Sequence, residues 1–203
     1  MATVVERDVK QSAVERRSAA TRWVFLLPPI FGLFALAAPT FSLGWALVVA
    51  AGCAVGVVVH GVFRARHGYA SPVTTALYST FQIDLLCAFA TLFAWRLTRT
   101  PWWVLLVFAA VVAAFAAVGF LRRRAVLEQL FAPHGRLGAL LAGLAGGSAA
   151  GGGALGFALG RSAGGWAVAI VMLAIAAYVA LAFQASWLKV EEPGWEPERR
   201  RRH

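Results

Sequence analysis

Residues 73–95 read VTTALYSTFQIDLLCAFATLFAW, twenty-three positions with no Lys or Arg and one acidic side chain, Asp84. An α-helix rises about 1.5 Å per residue and the hydrocarbon core of a bilayer is about 30 Å thick, so about 20 such residues complete one crossing. The stretch is long enough to span, and its basic flanks, Arg64 and Arg66 before and Arg96 and Arg99 after, mark where it meets water.

Outward from it the pattern recurs. Apolar runs lie at 23–38, 43–60, 102–120, 137–160 and 166–187, which with 73–95 makes six. The run at 23–38 contains Pro28 and Pro29 and reaches only about 24 Å, so it spans only with help from its flanks or a thinned bilayer. A secretory leader cut near Ala35-Leu36-Ala37 is the rival reading, and the long, partly acidic segment before it suits that poorly. Residues 39–42 form a tight turn that makes the first two runs a helical hairpin. The expected fold class is all-α: a polytopic transmembrane bundle of six helices over 23–187, an N-terminal arm at 1–22 and a flexible tail at 188–203, with both termini cytoplasmic.

Composition agrees with a lipid environment. The 203 residues are 60% apolar with a mean hydropathy of +0.71, well above the usual apolar share of a globular domain. A formal net charge of +10 would suggest nucleic acid in a soluble protein, yet the basic residues fall between and beyond the runs. Sixteen of the nineteen lie in segments that six crossings put on one side (Arg7, Lys10, Arg16, Arg17, Arg22; Arg64, Arg66; Arg122 to Arg124, Arg136; Lys189, Arg199 to Arg202), and three, Arg96, Arg99 and Arg161, on the other, with none inside a span. That bias predicts the richer side to be cytoplasmic. The expected partners are the lipid bilayer, with anionic headgroups at the inner basic loops, and a membrane protein or a second copy of the chain, but no nucleic acid. Cell-membrane localisation follows.

Tryptophan prefers the headgroup level, and seven of the eight, Trp195 excepted, fall at or near run ends. Cys53 and Cys87 lie inside runs, where a free thiol acts as a small hydrophobe, so neither a disulfide nor a metal site is expected. In the fifth run Gly143, Gly147 and Gly151, then Gly152, Gly156 and Gly160, recur every four residues. Such spacing lets a neighbouring helix approach closely, although the crowding of glycine also permits a break near Gly151 to Gly153. Between runs four and five, 121–131 places Leu127 and Leu130 beside a basic cluster and reads as a helix on the inner surface.

Asp84 lies eleven residues from either end of its run, near mid-membrane, where an ionisable group is costly and commonly functional. Thr80, Asp84, Cys87 and Thr91 are spaced four, three and four apart and share one helix face. Gln82 points nearly the opposite way, so the third helix is expected to be central, its carboxyl hidden among neighbours. With no basic residue in a span to pair it, the neutral carboxyl is favoured. It then either cross-links helices or serves proton, ion or substrate passage, and the residues leave both open.

An enzyme is not expected. The runs hold one Asp, no Glu and no deep His, and neither paired carboxylates nor a nucleophile with a base can be assembled. His60, His67 and His134 near the inner surface read as ordinary hydrogen bonders, and no cofactor is implied. Two function classes remain: passage of a small solute, proton or ion at Asp84, or an accessory subunit of a larger membrane complex. In helix number, size and orientation alone, the outline is similar to the membrane components of energy-coupling-factor vitamin transporters, a likeness that implies transport.

Overall fold

The computed structural model describes residues 24–37, 40–66, 71–131, 160–192 and 195. Their regular structure is all helical: α1 (Val24–Ala37), α2 (Leu43–Arg66), α3 (Pro72–Thr98), α4 (Trp102–Leu121), α5 (Arg123–Phe131), α6 (Gly160–Ala185) and α7 (Leu188–Glu191). Four stretches, Leu43–Arg66, Pro72–Thr98, Trp102–Leu121 and Gly165–Glu191, are long and apolar enough to cross a membrane, the last passing through a turn at Ser186 and Trp187. Exposed Leu33, Leu47, Val58, Leu106 and Ile170 clothe the outside. A surface of this kind is consistent with an integral membrane protein.

Several boundaries differ from the sequence reading. Helix α1 covers only about 21 Å at 1.5 Å per residue, so the first expected crossing is a short apolar helix. Helix α2 continues past 60 to Arg66, and α6 begins at Gly160, so 161–165 is helix where an outer loop was expected. The expected fifth crossing, with Gly143, Gly147, Gly151, Gly152 and Gly156, lies outside the described residues, as does the 1–22 arm.

Helix α3 begins where its sequence directs. Ser71 is the N-cap, its hydroxyl accepting from the Thr74 N–H at 3.4 Å, and Pro72 follows at the first helical position, where no N–H is needed. The helix ends at Arg99, which takes the left-handed conformation (φ 52°) usually left to glycine. Half of the α3 span is buried, against 17% of α2 and of α4 and 28% of the last span, which makes α3 the central helix.

Its neighbours pack on different sides. Ile83, Leu86, Cys87 and Ala90 meet Val112 of α4 and Ala176 and Ala180 of α6. Phe89 and Leu92 meet Ala35 of α1 and Val49 of α2. The Phe89 ring fills space that glycine leaves: a Cβ on Gly52 would stand 2.8 Å from its Cζ. Close packing of this kind is what holds helices together where lipid supplies no hydrophobic force between them.

Helices α3 and α6 run antiparallel. Gly165 meets the Leu97 carbonyl at one end, Cys87 reaches Ala176 midway, and Trp187 reaches Thr80 at the other. Helices α4 and α6 run parallel, with Gly119 against the Leu181 backbone. Val126 and Leu127 of α5 pack on Leu181, Ala185 and Leu188, so α5 and the start of α6 lie at opposite ends of the bundle. The apolar side of α5 therefore rests on protein rather than on lipid. Salt bridges Arg123–Glu191 (2.6 Å) and Arg124–Glu192 (2.5 Å) join it to the chain after α6. The segment expected as a flexible tail thus opens with a docked helix, and Leu188 is buried; 193–194 and 196–203 lie outside the described residues.

One basic residue is not where the sequence reading put it. Arg96 is in the last turn of α3 and buried, and its guanidinium donates to the carbonyls of Ala35, Leu36 and Thr40. A helix leaves its last carbonyls without intrahelical partners, and Arg96 satisfies those at the end of α1. A charge placed in a loop by its position after Trp95 is instead a buried cap between two helices.

Candidate functional site

The polar residues of α3 divide between two neighbours. Gln82, 1% exposed, turns to α2 and donates its Nε2 to the Gly56 carbonyl at 3.2 Å. Gly56 also lets α3 lie close: a Cβ there would meet Leu85 Cδ2 at 3.3 Å, with Gln82 Oε1 in ordinary contact at 3.6 Å. Thr80, Asp84 and Cys87 line the α6 side. Trp187 Nε1 donates to Thr80 Oγ1 at 2.9 Å, and Gln184 Nε2 to Asp84 Oδ1 at 3.4 Å. The Cys87 thiol donates to the Ala176 carbonyl at 3.4 Å. Thr91 is buried and bonds back to the Cys87 carbonyl at 2.7 Å, within its own helix.

The expected hiding place for Asp84 is absent from the described bundle: the residue is exposed. Along α3 the exposed positions Val73, Leu77, Asp84 and Ala88 fall on one stripe, with the carboxyl in its middle. The physical reason is angular. Helix α2 covers the side that carries Gln82 and Phe89, α6 covers the side that carries Cys87 and Ala90, and the sector between them stays open. Asp84 is held from one flank by Gln184, through a contact longer than an ordinary hydrogen bond. The structure thus brings Thr80, Asp84 and Cys87 together along the α3–α6 seam, leaves Thr91 to its own backbone, and sends Gln82 to the far side.

Of the packing glycines singled out, only Gly160 is described, as the first residue of α6. The glycines that take the close contacts are Gly32, Gly52, Gly56, Gly119 and Gly165. Gly52 and Gly56 carried a legible signal, since they stand four apart. His60 lies inside α2 with its Nδ1 2.8 Å from the Tyr78 hydroxyl and its ring stacked on Phe25 at 4.5 Å; His67 and His134 lie outside the described residues. Among the described residues, no three His, Cys, Asp or Glu side chains come together as metal ligands.

Comparison with protein-family models, curated proteins and solved structures gives no match.

Proposed function

We propose that this chain is a non-catalytic accessory or assembly subunit of a membrane complex, and that Asp84 with Gln184 forms its mid-membrane contact for a partner helix. The observation that carries this reading is the outward exposure of a carboxyl halfway along a membrane-length helix. Acyl tails can neither solvate nor hydrogen-bond that group. A neighbouring transmembrane helix with an amide or hydroxyl donor at the same depth can, and polar contacts of this type join helices in bilayers. The smooth apolar surface of α4, buried only at Val104, Val112 and Gly119, suits a chain that works through lateral contact.

Passage of a proton, ion or small solute at Asp84 is the second reading. It is favoured by the polar pairs that the α3–α6 seam carries at two successive turns, Trp187–Thr80 and Gln184–Asp84. It requires a water path, whereas assembly requires a dry partner.

Six crossings with both ends cytoplasmic belong to the same proposal. They are supported by the sixteen-to-three bias of basic residues, and by α5 and the start of α6 lying at opposite bundle ends.

A photo-crosslinking residue at Ala88, one turn from Asp84, tests the assembly reading in the full-length chain in its membrane. The expected result is a crosslink to a transmembrane helix of another polypeptide, at least tenfold weaker in Asp84→Ala and partly kept in Asp84→Asn. Crosslinks confined to lipid or to residues 132–159 of the same chain would overturn it. An intact assembly whose solute flux is lost in Asp84→Asn would establish the transport reading instead.

A further inference from the structure

Helices α2 and α3 do not close on each other along their whole length. Between them, on the side away from α6, lies an open groove of about 390 Å³ lined by Val58, Val59, Val62, Leu77, Tyr78 and Phe81, with Phe63 and Thr74 completing it. Val58, Val62 and Leu77 are exposed at its lip. The lining is almost wholly aliphatic and aromatic, and both walls belong to membrane-length helices.

One end of the groove is marked by charge. Val58, Val62 and Arg66 are spaced four residues apart, so they lie on one face of α2, and Arg66 continues the groove wall about 12 Å beyond Val58. Arg64 and Arg66 form the basic last turn of α2 and are exposed. From the depth of the bilayer outward, the face therefore reads aliphatic, aliphatic, guanidinium. That is the order of groups in a phospholipid: acyl chain inside, phosphate at the surface. A guanidinium makes paired hydrogen bonds to phosphate oxygens, and a zwitterionic headgroup offsets that attraction with the choline ammonium beside its phosphate, whereas an anionic headgroup does not.

We infer that the groove between α2 and α3 is a binding site for one anionic phospholipid, an acyl chain lying against Val58, Val62 and Leu77 and the phosphate on Arg66. The inference rests on the membrane reading; Leu77 at the groove lip shares its stripe with Asp84, two turns away, and the test reads lipid retention rather than a protein contact. Two arginines at the end of a helix also complement its dipole with no ligand present, so the experiment has to separate a bound lipid from a basic helix end.

Native mass spectrometry of the full chain, released from nanodiscs of equal phosphatidylglycerol and phosphatidylcholine, makes that separation. The wild type is expected to retain one phosphatidylglycerol at least tenfold over phosphatidylcholine. Arg66→Gln, at an exposed helix end, is expected to retain lipid with the preference cut to under threefold. Val62→Trp, which fills the groove, should lose retention of both lipids. Val118→Trp, on the exposed surface of α4, should behave as wild type. Equal retention of the two lipids by the wild type, an unchanged preference in Arg66→Gln, or full retention in a folded Val62→Trp would each overturn the site. None of these outcomes depends on whether a protein crosslinks near Asp84.

Discussion

Arg96 brings a charged side chain into the packed interior, and its worth lies in the three carbonyls it satisfies, those of Ala35 and Leu36 in the last turn of α1 and of Thr40 beyond it. Hydrogen bonds from a charged donor each contribute about 1.5–3 kcal/mol, and the cost of taking the guanidinium out of water offsets much of their sum. Arg96→Ala is therefore expected to destabilise the protein by about 2–3 kcal/mol. Arg96→Lys should recover less than half, because an ammonium cannot span carbonyls that the planar fork reaches together. Thermal unfolding in detergent checks both; an alanine variant that melts with the wild type would show the cap to be idle. In the sequence Arg96 and Arg99 look alike, two basic residues after Trp95. What separates them is where α1 happens to end, which no local pattern encodes. Asp84 has the same lesson in reverse: its spacing from Thr80 and Cys87 revealed a shared face, while the gap between α2 and α6 decided that the carboxyl stays open.

Helices α2 and α4 show how far a single element can be read. Both are apolar enough to be recognised from composition, yet each is buried at only three positions. On α4 these are Val104, Val112 and Gly119, a narrow stripe, and Gly119 sits where a Cβ would strike the Leu181 backbone. Backbone cannot rotate away as a side chain can. Gly119→Ala is therefore expected to push α4 off α6 and to cost about 1–3 kcal/mol, whereas Gly44→Ala, whose nearest neighbour would be Ser42 Oγ at 4.0 Å, should be neutral or gain up to about 1 kcal/mol from helix propensity. Comparing the two melting points tests the contact, and equal shifts would refute it. Of the close-packing glycines, Gly52 and Gly56 could be found from their four-residue spacing. Gly32 and Gly119 could not, since each stands alone in its helix, and Gly165, though Gly160 and Gly164 share its helix, gains its role as they do from a partner distant in sequence.

At the scale of the whole molecule, the antiparallel α3–α6 pair and the parallel α4–α6 pair set which ends lie together. Arg66 and Arg124 fall at one end of the bundle and Arg99 at the other. In sealed membranes, a membrane-impermeant thiol reagent should label single cysteines at 66 and 124 from one side and a cysteine at 99 from the opposite side; labelling of all three from one side would refute the topology. Length, apolar content and the interruption of charge determined by themselves that the chain is helical and suited to lipid, because backbone groups in a bilayer must bond within their own segment and that need acts on every residue alike. The tertiary structure alone decided that Arg96 caps a neighbouring helix, that Glu191 and Glu192 bind α5, and that no described helix covers Asp84. Each of these depends on the angle at which one helix meets another, and that angle is set by small contacts between residues far apart in the chain.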